Sequence, residues 1–192
     1  MEKKRVRILV GNSSYEENSG FGYSALKVKD LKDNQLKELY KGFSEIAFIP
    51  KFEGDFPNDS FKYLDIISFR RLYFLLFGND FSILNESADD IAKKFTSKDI
   101  YLVNARNSNT NKDNKDNLKN LVKNIITKYG ESYTEIYILY LGNEAKKLMS
   151  GLEGIEEYFL YHPAYNNKKA SSLWINYDDE NSGKIKDKFR IV

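Results

Sequence analysis

Short apolar runs that stop at Gly, Asn or His alternate with helix-periodic stretches along most of this 192-residue chain. Arg5 to Val10 reads as a strand and ends at Gly11-Asn12. Glu45 to Ile49 is a second, closed by Pro50; Ile100 to Val103 is a third and runs into Asn104. Ile136 to Leu141 is ended by Gly142, and Tyr158 to Tyr161 runs into His162. Between these lie helical patterns. Leu31, Leu36, Leu39 and Tyr40 share one face, Leu64 to Phe77 is strongly apolar, and Glu86 to Phe95 is amphipathic behind Ser87. Leu118, Leu121, Val122, Ile125 and Ile126 mark another face, Asn143 to Met149 is a shorter helix, and Ala170 to Tyr177 opens a last one. Parallel strands need crossover helices, and crossovers cover both faces of a sheet. The expectation is one α/β domain over residues 1–192: a three-layer α/β/α sandwich on a mostly parallel sheet of four to five strands.

The remaining segments read as loops: Tyr15 to Ser24 with Gly20 and Gly22, residues 51–60 with Gly54 and Pro57, and the Asn/Lys/Asp-rich stretch from Asn104 to Asn117. In a parallel sheet, ligands bind beyond the carboxyl ends of the strands. Asn12, Asn104 and His162 stand at such ends and are expected to converge. His162 is the only histidine, so any step that needs an imidazole must use it.

Composition removes several chemistries. Cys is absent, which excludes disulfides and thiolate zinc sites. A single His argues against a conventional zinc or non-haem iron site, and no acidic cluster points to Mg²⁺. No metal and no cofactor are expected. The net charge of +2 does not by itself announce a nucleic-acid partner. The apolar run Val6 to Val10 is too short for a signal peptide core and is interrupted by Arg7; Leu72 to Phe77 is the longest apolar patch. A cytoplasmic protein that does not enter a membrane is expected, acting as a monomer.

The order of these blocks resembles the uracil-DNA glycosylase superfamily, and within it the single-strand-selective monofunctional members. That family has His-Pro-Ser-Pro, a polar loop with Asn and Ala, then Trp. This chain has His162-Pro163-Ala164-Tyr165-Asn166-Asn167-Lys168-Lys169-Ala170-Ser171-Ser172-Leu173-Trp174. Tyr101-Leu102-Val103-Asn104-Ala105 is similar to the strand that ends in the base-reading Asn, and Leu141-Gly142-Asn143-Glu144-Ala145 to a strand-Gly-x-x-Ala helix start. Val10-Gly11-Asn12-Ser13-Ser14-Tyr15, followed by Ser19-Gly20-Phe21-Gly22-Tyr23, resembles the first motif and its stacking aromatic. One departure stands out. The family carries Asp or Asn followed by Pro two positions after the first Gly, where this chain has Ser13-Ser14. The family residue positions or activates the attacking water, so Asn12, Ser13, Glu16 and Glu17 are all candidates for that task here.

The resemblance implies a metal-free hydrolase acting on an N-glycosidic bond in single- or double-stranded DNA with a damaged or modified base. Repair, or defence against phage DNA with modified bases, would be its setting. His162 would stabilise negative charge on the departing base, and Asn104 would read its polar edge, a carboxamide offering a donor beside an acceptor. Tyr23 or Phe21, with Tyr15, would stack on the base. Tyr165 and Asn166-Asn167 would fill the gap left in the DNA, and Lys168-Lys169 would meet phosphates. Taken singly, each feature has a plainer reading: a capped strand end, a turn Asn, a flexible Gly loop, solvated lysines. Arg70-Arg71 read as the polar side of a buried helix. A second function, of another class, is a nucleic-acid-binding module that keeps the fold without catalysis, which the Ser13-Ser14 pair favours.

Overall fold

A computed structural model describes residues 3–12, 22–52, 62–78, 86–164 and 180–191. Its centre is a four-stranded parallel sheet of β1 (Lys4–Gly11), β4 (Ile100–Asn104), β5 (Thr134–Leu141) and β6 (Glu156–Leu160), in the order β4-β1-β5-β6. Val6, Ile8, Leu9 and Val10 of β1 are all fully buried, so both faces of that strand are covered. Continuous apolar burial of this kind marks the middle of a parallel sheet. The architecture is a three-layer α/β/α sandwich, as the strand–helix alternation requires.

The helices are α1 (Asn34–Leu39), α2 (Lys62–Asp65), α3 (Ile67–Phe77), α4 (Ala88–Ser97), α5 (Lys115–Tyr129), α6 (Asn143–Met149) and α7 (Glu180–Phe189). Local chemistry sets several of their starts. Asp33 accepts from the amides of Gln35 and Leu36 at the head of α1, and Ser87 accepts from the Asp90 amide at the head of α4. At the other end of the chain, the Ile191 amide donates to the Leu76 carbonyl, which ties the segment after α7 to α3.

Three expectations need correction. Glu45 to Ile49 does not join the main sheet or end at Pro50. It belongs to β3 (Glu45–Phe52), which pairs antiparallel with β2 (Tyr23–Lys27) in a separate two-stranded sheet beside β4. The pairing jumps from Leu26–Ile46 to Ala25–Pro50, so Ala47, Phe48 and Ile49 bulge out of the ladder. A bulge absorbs the proline, which cannot donate to a regular ladder. Leu64 to Phe77 is not one helix, because Ile66 adopts an extended backbone (φ −83°, ψ 106°) and separates α2 from α3. Asn104 to Asn117 is not a loose loop. α5 begins at Lys115, and the turn before it is laced by its asparagines: Asn114 Nδ2 donates to the Asn104 carbonyl at 2.9 Å, and Asn107 and Asn117 both donate to the Gly42 carbonyl. These side chains satisfy backbone groups that a ladder would otherwise serve. The expected helix from Ala170 to Tyr177 lies outside the described residues.

Candidate functional site

The β1 and β4 tips stand side by side, with Gly11 paired to Asn104. Two strands along, β6 delivers the chain to His162 next to the turn after β5. The Gly142 amide donates to the Leu160 carbonyl at 2.8 Å, and a Cβ on Gly142 would lie 3.5 Å from the His162 Cβ. Asn104 and His162 line one cavity of about 750 Å³. Its other described walls include Tyr23 from β2, Phe48 and Phe52 from β3, Lys62 and Asp65 from α2, Ile66 between the two helices, and Ile67 and Ser68 from α3. That volume is in the range of small-molecule sites, and the mix of aromatic walls with few polar groups is their usual composition.

One backbone amide and one side chain explain how His162 is held. The Ala164 amide donates to its Nδ1 at 3.2 Å, and Arg71 Nη1 donates to the Pro163 carbonyl at 2.6 Å. Arg71 therefore serves the loop after His162 rather than solvent. Burial pulls the imidazole below 6.5, its ordinary value, so it is neutral at neutral pH. With Nδ1 accepting, the proton of the neutral ring sits on Nε2, which becomes a donor. The Phe48 ring lies 5.9 Å from the imidazole, centroid to centroid, tilted by 38°.

Asn104 is buried, and its Nδ2 donates to Glu45 Oε1 at 2.8 Å. Glu45, buried at the start of β3, also accepts from Ser108 Oγ through Oε2 at 3.4 Å. The absence of a side chain at Gly11 makes room for this pair of walls. A Cβ there would stand 2.7 Å from Phe48 Cζ and 2.9 Å from Asn104 Oδ1. Phe48 itself has φ 61°, a left-handed backbone that a bulky residue rarely adopts, and it sits at the bulge. Such strain collects where surrounding structure must aim a side chain.

Asn12 does not join the described lining of this cavity. Its side chain instead meets Glu144 at the head of α6, and its Oδ1 is buried without a hydrogen-bond partner. The Arg106 guanidinium, at 2.8 Å, and then the Asn12 amide hold the Glu144 carboxyl below the usual carboxylate range. Tyr23 lines the cavity and packs edge-on against Phe52 at 5.8 Å. Ser13, Tyr15 and Phe21, and Tyr165, Asn166, Asn167, Lys168 and Lys169, lie outside the described residues.

Four residues of this site escape a reading of the sequence alone: Phe48, Glu45, Asp65 and Arg71. Pro50 within an apolar run was the one available signal, since proline marks a bulge or an edge. Asp65 is the one carboxylate among the described lining residues. Among the described residues, no group of three or more His, Asp or Glu side chains could hold a metal ion, and no helix is long and apolar enough to cross a membrane. Comparison with protein-family models, with curated proteins and with solved structures finds no match to this chain.

Proposed function

We propose that this protein is a monofunctional DNA glycosylase that hydrolyses the N-glycosidic bond of a flipped-out uracil-type or modified pyrimidine base. The observation that carries the reading is the shared cavity of Asn104 and His162, which come from strand tips far apart in the sequence. Flipping costs a few kcal/mol, and stacking on an aromatic wall returns about 1–3 kcal/mol. Phe48, Phe52 and Tyr23 are the described aromatic walls of the cavity, and Phe48 and Tyr23 are our candidates for that stack. Asn104 reads the polar edge. As the C–N bond breaks, its electron pair moves onto the base, and the His162 Nε2–H donates a hydrogen bond to the carbonyl oxygen where that charge gathers. A water oxygen then bonds to the sugar carbon, and its proton leaves to solvent or to the departed base. Asp65 is our candidate for orienting that water in place of the family's Asp or Asn; Asn12, with its unpartnered Oδ1, is the other described candidate. Repair of damaged DNA and defence against phage DNA with modified bases both fit this chemistry.

A second reading is a nucleic-acid-binding module without catalysis. The placement of Asn12 against Glu144, together with Ser13-Ser14, favours it. Incubation with oligonucleotides carrying uracil, 5-hydroxymethyluracil or hypermodified cytosine separates the two. Abasic sites that vanish in Asn104→Ala and His162→Ala are the glycosylase outcome. Binding with no base released from any substrate is the module outcome.

A further inference from the structure

The carboxamide that faces the cavity is not free to present either end. Asn104 Nδ2 is 2.8 Å from Glu45 Oε1, and both residues are 3% exposed. A carboxylate oxygen accepts and cannot donate, so it selects the nitrogen of the amide and turns the oxygen away. Asn104 Oδ1 then lies on the side of Gly11 and the Phe48 ring, with no hydrogen-bond partner among the described residues, in a residue that lines the cavity with Phe48. The Asn104 backbone is pinned as well: Asn114 Nδ2 donates to its carbonyl at 2.9 Å, and the Ala105 amide donates to the Gly11 carbonyl at 2.8 Å. The side chain is thus fixed at both its root and its nitrogen.

We propose that Glu45 is a positioning residue for specificity: by holding Asn104 through Nδ2, it commits the cavity to presenting the Oδ1 acceptor, and so to a ligand edge that carries an N–H. A lactam-type base offers that edge, with a ring N–H beside a carbonyl that can meet the second Nδ2 hydrogen. A cytosine-type base turns an acceptor ring nitrogen toward Oδ1. A buried acceptor left facing an acceptor is expected to cost about tenfold in affinity. The oligonucleotide consequence rests on the glycosylase reading above; the lock on the amide does not.

Side-chain amide NMR on the whole chain tests the lock directly. The Asn104 NH₂ pair, assigned by its loss in Asn104→Asp, is expected to be inequivalent, with one proton shifted downfield and protected from solvent exchange. In Glu45→Gln, which retains an acceptor, that proton moves upfield but stays protected. In Glu45→Leu, protection is lost. A wild-type Asn104 NH₂ that exchanges like an exposed amide overturns the proposal, as does unchanged protection in a folded Glu45→Leu. If Glu45→Leu does not fold, the wild type and Glu45→Gln decide alone. In a second arm, the preference for a uracil-containing over a cytosine-containing oligonucleotide is expected to fall about tenfold in Glu45→Leu and to persist in Glu45→Gln. A merely structural role would lower both affinities together and leave their ratio unchanged, which also contradicts the proposal. Failure to bind any oligonucleotide, with the amide lock intact, counts against the DNA reading and supports the lock.

Discussion

Arg71 Nη1 and the Pro163 carbonyl stand 2.6 Å apart, so helix α3 fixes the residue that follows the only histidine. A guanidinium hydrogen bond of this kind is typically worth about 1.5–3 kcal/mol. Arg71→Met is expected to lower stability by about 1–2 kcal/mol in urea unfolding, the partial exposure of the arginine softening the loss. It should also slow base release while leaving oligonucleotide affinity within a few-fold, because the imidazole is misaimed rather than removed. Unchanged kinetics would mean that the loop holds its shape without α3.

The pH behaviour of His162 follows from its burial. The unfolded imidazole titrates near 6.5 and the folded one lower. Between those two values the unfolded chain binds more protons, so stability falls as pH drops through 6.5 and levels off below the folded value. Well above 6.5, where both states have lost the proton, this residue contributes no pH dependence. The imidazole C2–H resonance, unambiguous with one histidine, should titrate with a midpoint below 6.5. His162→Gln should flatten the loss of stability between pH 7 and the folded midpoint. A midpoint at or above 6.5 would contradict the burial that pulls the imidazole down.

Gly11 is required by close approach. Gly11→Ala would place a Cβ 2.7 Å from the Phe48 ring and 2.9 Å from Asn104 Oδ1. Overpacking of this kind costs about 1–3 kcal/mol. Thermal unfolding should show that loss, and nucleic-acid binding should fall with it, because both displaced groups are cavity walls. Full stability with full binding would show that the walls have slack.

The frame of the fold was legible because it depends on period and punctuation. Arg5 to Val10, Ile100 to Val103 and Ile136 to Leu141 are apolar runs closed by Gly or Asn, and all three stand in the parallel sheet. Asn104 and His162 were placed by the same logic, since strand tips share an edge. What stayed hidden depends on contacts that leave no local pattern. β2 has only Tyr23 to Lys27 to announce it, and its partner bulges at Phe48. Glu45 resembles any strand-edge glutamate until β3 is laid beside Asn104. Asn12 shares the sheet edge but turns to Glu144, because α6 begins there and Arg106 holds that carboxylate in place.

Phe48 tests the stacking wall. Phe48→Leu keeps an apolar side chain at the bulge but removes the ring beside His162. Affinity for a base-bearing oligonucleotide should weaken by about 1–3 kcal/mol, measured by fluorescence anisotropy. An unaffected affinity would shift the stacking role to Tyr23.

Under the proposed glycosylase reading, Asp65 and Asn12 are the two described candidates for orienting the water. Asp65→Asn should slow base release on the order of 10²-fold or more in single-turnover kinetics, with binding retained. If Asn12→Ala produces that loss and Asp65→Asn does not, the water stands on the α6 side of β1.

The most direct measurement is chromatographic detection of free base released from a uracil- or modified-pyrimidine-containing oligonucleotide, comparing wild type with Asn104→Ala and His162→Ala. The account predicts release by the wild type without added metal, and a loss on the order of 10²–10³-fold for His162→Ala. Release at the wild-type rate by either variant would contradict it, as would no release from any of the three base types by a wild-type protein that binds them.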